Sequence, residues 1–182
     1  MAFISIKPCD LYHASYLSRM ANHYQIAPAT RIGHVHLKVT NLERSMAFYQ
    51  DVMGFTLTQR YGQQAAFLAA GGYHHHIGLN TWHSQGTGPA PERAAGLYHA
   101  AILVPTRLDL SRFLRHLVES GHPLDGAADH GVSHALYLRD PDENGLEVYW
   151  DLPTSEWPYT AQGELDMGSK HLDLKALLDL SR

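Results

Sequence analysis

The side chains of this sequence that could carry chemistry are histidines and a carboxylate in segments that otherwise have the composition of β-strands. The chain contains 14 histidines, and His34, His99 and Glu147 lie in such segments. Glu147 stands between Leu146 and Val148, and a carboxylate in apolar surroundings is rarely buried unless it is paired or bound to a metal. Two imidazoles and one carboxylate form a facial triad, which suits Fe(II), with Mn(II) as a close substitute, and leaves coordination positions open.

The segment around Glu147 predicts a strand, a tight turn and a second strand. Residues 135–139 have strand character, residues 140–145 read Asp-Pro-Asp-Glu-Asn-Gly and are rich in turn formers, and residues 146–150 are again β-prone. A solvent-exposed position is the simplest interpretation of a lone glutamate in such a strand. The metal hypothesis therefore depends on what the rest of the chain places beside Glu147.

The rest of the chain contains the same order of secondary-structure elements twice. Residues 32–39 have strand alternation, residues 42–53 have helical spacing, and three strand-like segments follow up to residue 82. From residue 97 the order returns, with a helix over 108–120 and strands over 122–128, 133–139 and 146–151. This repeat predicts an α+β fold in which tandem βαβββ modules form a curved mixed sheet around a metal-binding cavity.

The repeat divides the chain into five segments. Residues 1–30 are expected to be an N-terminal extension with a short amphipathic helix from Asp10 to Tyr24. The first module covers 31–82, a linker rich in Gly, Pro and Ala covers 83–96, and the second module covers 97–151. Residues 152–182 predict a C-terminal arm and a short helix, for which packing or assembly is expected rather than chemistry.

Superposing the two modules pairs His34 with His99 and Gly78 with Glu147. If the two half-sheets face each other, the three candidate ligands reach one cavity, and Gly78 leaves the fourth side of that cavity unblocked. His36 shares a strand face with His34, but only His34 matches His99 in the repeat. A single strand histidine is more often structural than a ligand, so the symmetric placement is what favours a metal. A cavity within one chain and a cavity across a swapped dimer are both compatible with the linker.

Composition excludes several other classes of protein. The formal net charge of −4 shows no basic footprint, so nucleic acid is not an expected partner. No apolar run approaches the ~20 residues of a membrane span, and no signal peptide opens the sequence. The single Cys9 cannot form an internal disulfide. A cytoplasmic protein without a membrane partner is the expectation.

Several of these segments resemble the vicinal oxygen chelate superfamily, which includes glyoxalase I, fosfomycin- and bleomycin-resistance proteins and extradiol ring-cleaving dioxygenases. The likeness spans about residues 31–158 and is nearest to the catechol-2,3-dioxygenase-like branch. The segments that carry it are IGHVHLKVTNLERSMAFYQDVMGF, AAFLAAGGYHHHIGLNTW, GLYHAAILVP and DHGVSHALYLRDPDENGLEVYWD.

The resemblance implies a metal site and a set of residues around it. The metal ligands of the extradiol enzymes correspond to His34, His99 and Glu147 of this sequence. Fe(II) is the expected cofactor, and Mn(II) or another divalent metal is the alternative. Catalytic roles in hydrogen bonding to substrate and in proton transfer are implied for His75, His130 and Tyr137. Substrate-binding roles are assigned to His76, His134 and Trp82.

Two of these assignments have open alternatives. Histidines stand at 74, 75 and 76 in succession, so the register that selects His75 is not settled by the sequence. For His130 and His134 the alternative is a loop histidine and a strand histidine without a catalytic duty.

The resemblance implies an extradiol dioxygenase in aromatic catabolism, acting on a small catechol-like molecule with dioxygen and expected as a homodimer. One alternative is another metal enzyme of the superfamily, either a glyoxalase-like lyase or a thiol transferase of the resistance type. Glyoxalase I typically has a further carboxylate ligand where this chain has Gly78, which argues against it. The other alternative is a metal-free drug-binding protein, which has no need of a complete triad.

Overall fold

Two four-stranded mixed sheets carry the fold. The computed structural model describes residues 24–182, so the predicted helix from Asp10 to Tyr24 lies almost wholly outside the described residues. In the first module, strand β1 (Val35–Lys38) leads to helix α1 (Leu42–Ala47) and a π-helical turn (Phe48–Val52). Three strands complete it, and they are β2 (Thr56–Tyr61), β3 (Ala65–Ala69) and β4 (Ile77–Asn80).

The second module repeats this order. Strand β5 (His99–Leu103) leads to helix α2 (Arg107–Ser120). The strands that follow are β6 (Gly126–Asp129), β7 (Ser133–Arg139) and β8 (Gly145–Asp151). A short helix α3 (Leu174–Asp179) lies in the C-terminal arm. Within residues 24–182 no helix is long and apolar enough to cross a membrane.

The two sheets have the same strand order, which confirms the predicted tandem βαβββ architecture. The order is β1-β4-β3-β2 in the first sheet and β5-β8-β7-β6 in the second, and the first strand of each module pairs in parallel with the last. His36 lies opposite Gly78, and Ala101 lies opposite Glu147. Gly78 and Glu147 therefore occupy equivalent places, as the repeat predicted.

Side-chain caps mark the start of helices α1 and α2, and a glycine marks the end of α2. The Asn41 side chain accepts a hydrogen bond from the Arg44 N–H at 3.0 Å and caps α1, while Thr106 caps α2 in the same way at 3.1 Å. Helix α2 ends at Gly121, whose φ of 68° is left-handed. On the apolar face of α2, Leu110, Leu114 and Leu117 are buried in a core that also includes Leu172 and Leu177 of the C-terminal arm.

The turn between β7 and β8 is fastened to the first module by two buried aspartates. Asp142 accepts hydrogen bonds from the Thr40 N–H at 3.1 Å and the Ser45 hydroxyl at 3.1 Å, and it pairs with Arg44 at 2.6 Å. Asp140 accepts a hydrogen bond from the Tyr49 hydroxyl at 3.0 Å. These bonds span about 90 to 100 residues of sequence, so the turn that precedes Glu147 is positioned by the first module.

We expect Asp142→Ala to lower the free energy of unfolding by about 2–4 kcal/mol, because the Thr40 N–H and the Ser45 hydroxyl lose a buried acceptor. Chemical denaturation measures this. Glu43→Ala is the matched control, because it removes a carboxylate of α1 from an exposed ion pair with Arg60 of β2. The control should cost less than about 1 kcal/mol. Equal losses in the two variants would show that the turn is not fastened by Asp142.

Candidate metal centre and its neighbours

Glu147 and His99 meet across the neighbouring strands β8 and β5. The His99 Nε2 lies 2.9 Å from the Glu147 Oε2, and the glutamate side chain is only 12% exposed. Leu146 and Val148 are buried in the core, so strand alternation directs Glu147 to the other face of the sheet. Glu147 is therefore a paired, largely covered carboxylate and not a solvated one.

Tyr137 lies opposite Glu147 in the β7–β8 register. Its hydroxyl is 3.2 Å from the Glu147 Oε1. Burial raises the pKa of Tyr137 to about 12, with further contributions from the charge of Glu147 and from their hydrogen bond. The phenol therefore keeps its proton at neutral pH and can act as a hydrogen-bond donor.

His130 extends this group by one more side chain. Its Nε2 lies 2.7 Å from the Tyr137 hydroxyl, and its Nδ1 lies 2.7 Å from the Gly168 carbonyl oxygen. His99, Glu147, Tyr137 and His130 thus form one continuous line of polar contacts. Four of the six residues predicted as ligands or catalytic groups belong to it.

His34 and His75 form a second group. His34 lies directly before β1, and its ring centroid is 4.4 Å from that of His75. The His75 ring also packs against Phe67 at 5.0 Å, and its Nδ1 lies 2.7 Å from the Nδ1 of His74. Burial, followed by the neighbouring histidines, lowers the pKa of His75. Of the three consecutive histidines, His75 is the one whose ring lies against His34.

His76 faces a different set of neighbours. Its Nδ1 accepts a hydrogen bond from the Ala70 N–H at 3.2 Å, and its ring packs near Tyr73 and Phe55 at 4.8 and 6.2 Å. The side chain closes the β3–β4 connection in this way. Its assignment to substrate binding stays a prediction.

The predicted open side at Gly78 is filled by His36. A Cβ atom added at Gly78 would lie 2.9 Å from the His36 ring, so the imidazole covers the place equivalent to Glu147. The ring also packs against Phe67 and Trp82 at 5.8 and 5.7 Å, and burial lowers its pKa, as does His34 to a smaller extent. The expectation that Gly78 leaves this side unblocked is wrong, because the neighbouring strand supplies a ring there.

His134 lies on the other face of β7 from Tyr137. It packs edge-on against Trp150 at 5.6 Å, and its Nε2 is 3.9 Å from the Asp129 Oδ2. Burial lowers the pKa of His134. Strand alternation places it away from Tyr137, so its predicted contact with substrate stays a prediction.

The donor types of His99 and Glu147 suit a divalent metal of the Fe(II) or Mn(II) kind. The His99 nitrogen and the Glu147 oxygen lie 2.9 Å apart, and imidazole nitrogen and carboxylate oxygen are ligand types that such metals bind. Among residues 24–182, no three His, Cys, Asp or Glu side chains are placed to share one ion. His34 lies with His75 instead, so the three-ligand set stays a prediction.

Two contacts of this region had no signal in the sequence. The Gly168 carbonyl reaches His130 across 38 residues, from an arm for which no chemistry was expected. The His36 ring reaches Gly78 from the next strand. Both depend on pairings that no local pattern reveals.

We expect Gly78→Ala to displace the His36 ring and to cost about 1–3 kcal/mol in the free energy of unfolding. Denaturation gives the energy, and the NMR resonances of His36 report the displacement. Gly72→Ala is the control, because a Cβ there meets nothing within 4 Å. A Gly78→Ala protein with unshifted His36 resonances would contradict this packing.

Comparison with known proteins agrees with the architecture. Residues 31–148 match the Glyoxalase/Bleomycin resistance protein/Dioxygenase superfamily. Catechol-2,3-dioxygenase of Bacillus subtilis (strain 168) is 40% identical over 151 residues, which cover 82% of this chain and 52% of that protein. Biphenyl-2,3-diol 1,2-dioxygenase 3 of Rhodococcus globerulus is 32% identical over 124 residues, which cover 66% of this chain and 63% of that protein.

The chain therefore spans about half to two thirds of the length of these relatives. Among solved structures, a glyoxalase/dioxygenase from Nostoc punctiforme superposes with a TM-score of 0.58 at 16% identity, covering 72% of this chain and 99% of that one. At this identity the likeness concerns the fold alone. The extent of the family match, together with the repeated βαβββ modules, places this chain in the glyoxalase/bleomycin resistance protein/dioxygenase superfamily.

Proposed function

We propose that this protein is a metal-dependent extradiol dioxygenase that cleaves the ring of a catechol-type substrate with dioxygen. The observation that carries the proposal is the line of contacts from His99 through Glu147 and Tyr137 to His130. It joins candidate metal ligands directly to candidate proton carriers. The similarity to two relatives that bear dioxygenase names supports the same reaction class.

His34, His99 and Glu147 are the residues that would hold the metal, with Fe(II) as the first choice and Mn(II) as the alternative. When bound, the metal supplies Lewis-acid activation of the catechol and an electron path between the ring and dioxygen. The protein supplies binding, orientation and proton transfer.

The neighbouring side chains differ in what they can do with a proton. Tyr137 keeps its proton because its pKa is raised to about 12, so its hydroxyl stays able to donate and to accept hydrogen bonds beside Glu147. His75 has a lowered pKa and is neutral at pH 7, so it can accept a proton. Together, Tyr137 and His75 could take up the protons that a catechol loses and return protons to the product.

We further propose that the site is shared between two copies of the chain. His34 and the His99–Glu147 pair belong to separate groups among the described residues, and β1 and β5 each pair with one strand only. An unpaired strand edge is an available surface for a second chain. In a two-fold symmetric dimer, His34 of each copy would complete the ligand set of the other copy, which gives two equivalent sites.

Anaerobic reconstitution with Fe(II), followed by oxygen and a panel of catechols, tests the reaction. We expect stoichiometric iron and a yellow ring-cleavage product from at least one catechol. The product is followed by its visible absorbance and by oxygen uptake.

Two results would contradict the proposal. A protein with bound iron that cleaves no catechol in the panel would rule out the dioxygenase reaction. A His99→Ala protein that retains stoichiometric iron would rule out the ligand assignment. His116→Ala is the control for the histidine substitution, because His116 lies on α2 and bonds the Asp51 carbonyl, away from the ligands.

Mixing two inactive variants tests the shared site. We expect His34→Ala and His99→Ala proteins, refolded together, to recover activity from about a quarter of the sites. Half of the dimers are hybrids, and one of the two sites in each hybrid keeps all three ligands. Steady-state rates of the mixture and of each variant alone measure the recovery.

The matched control is a mixture of His99→Ala with Glu147→Ala. These residues belong to the same half of the site, so every site in a hybrid dimer lacks one ligand and no recovery is expected. If the first mixture also stays inactive, the site is not shared between copies.

A further inference from the structure

The tail segment, residues 166–172 of the C-terminal arm, runs beside the end of β6. Asp129 and Lys170 exchange two backbone hydrogen bonds, of 3.0 and 2.8 Å. The Gly168 N–H donates to the His130 carbonyl at 3.1 Å. Leu172, at the end of the segment, is buried in the core. The tail segment is therefore held in place independently of the His130 ring.

The backbone of His130 is held just as firmly. Its N–H donates to the Ser133 carbonyl at 2.9 Å, and the following Gly131 adopts a left-handed φ of 79° against Pro158. The ring then has two polar neighbours, the Gly168 carbonyl oxygen on Nδ1 and the Tyr137 hydroxyl on Nε2, both at 2.7 Å. Preorganisation of this kind fixes both the position and the orientation of an imidazole.

Counting donors and acceptors assigns the protons of this ring. A carbonyl oxygen can only accept, so the hydrogen bond to Gly168 requires a proton on Nδ1. In the neutral ring the Nε2 is then an acceptor. The nitrogen that faces Tyr137 is therefore the one that is free to gain and lose a proton.

Tyr137 has one hydroxyl hydrogen and two neighbours for it. With His130 neutral, the phenol donates to Nε2 at 2.7 Å. With His130 protonated on both nitrogens, Nε2 donates to the phenol oxygen, and the phenol turns its hydrogen to the Glu147 Oε1 at 3.2 Å. The protonation state of Nε2 thus decides in which direction the tyrosine donates.

We propose that the Gly168 carbonyl of the tail segment is a positioning group, which holds His130 as the Nδ1–H tautomer so that Nε2 exchanges the reaction's proton through Tyr137. The inference rests on the proposed function. As a substrate hydroxyl gives its proton to the Tyr137 oxygen, the phenol passes its own proton to Nε2, and the reverse transfer returns one proton. His130 gains one positive charge in the first step and loses it in the second, and no other reagent is needed.

The tautomer is measured directly in the metal-free protein. With ¹⁵N-labelled histidine, and with His130 identified by the resonances that vanish in His130→Gln, we expect a protonated Nδ1 and an unprotonated Nε2 in the neutral ring. A neutral ring protonated on Nε2 would overturn the inference, whether or not the enzyme cleaves catechols.

The effect of the carbonyl on the reaction is measured by replacing the Gly168–Ser169 amide with an ester, introduced by semisynthesis of the C-terminal peptide. An ester carbonyl is a weaker acceptor, and the Ser169 N–H that is lost donates no hydrogen bond within the described chain. In the iron-loaded enzyme we expect kcat to fall about three- to ten-fold, with KM and iron content nearly unchanged.

Two comparisons separate positioning from a structural role. An ester between Asp166 and Met167 weakens a carbonyl that accepts no hydrogen bond in the described part of the chain, and it should leave kcat unchanged. In a Tyr137→Phe background the Gly168–Ser169 ester should have no further effect, because the relay is already broken.

The remaining outcomes of the ester experiments separate the positioning role from the proposed function. An unchanged kcat, an equal loss from both esters, or a loss that persists with Tyr137→Phe would overturn the positioning role. If the all-amide enzyme binds iron but cleaves no catechol, the proposed function fails, and the tautomer measurement still decides the assignment of His130.

Discussion

The arrangement of the candidate site depends on one constraint, which is that the carboxylate of Glu147 is largely removed from water. Burying an ionised carboxylate is costly unless hydrogen bonds or a cation replace its hydration. Here the His99 imidazole and the Tyr137 hydroxyl approach its two oxygens. Tyr137 in turn bonds His130, which bonds the Gly168 carbonyl. The need to satisfy one carboxylate thus organises side chains from three strands and a loop, together with a backbone carbonyl of the C-terminal arm.

The position of that carboxylate is set from outside its own module. The turn before β8 is held by buried bonds from Asp140 and Asp142 to Tyr49, Thr40 and Ser45 of the first module. A shift of the first module would therefore move the start of β8 and the glutamate on it. Because both aspartates are buried, their hydrogen bonds are weakly screened by solvent and hold the turn rigidly.

The fold was predictable because its signals are local and repeated. Strand alternation and helical spacing act over a few residues, and the repeat identified the equivalence of Gly78 with Glu147. Local signals did not reveal that the first helix continues as a π-helical turn. Nor did they reveal that His76 would turn towards Ala70 while His75 lies against His34.

What the sequence by itself determined is the βαβββ repeat, the types of the candidate ligands and the strand on which Glu147 lies, because spacing along the chain encodes these. Only the tertiary structure decided which groups meet. It paired His99 with Glu147, kept His34 with His75, placed the His36 ring over Gly78 and brought Gly168 to His130. These contacts join residues that are distant in sequence or lie on neighbouring strands. Their formation depends on how whole strands and modules pack, and no local propensity records that.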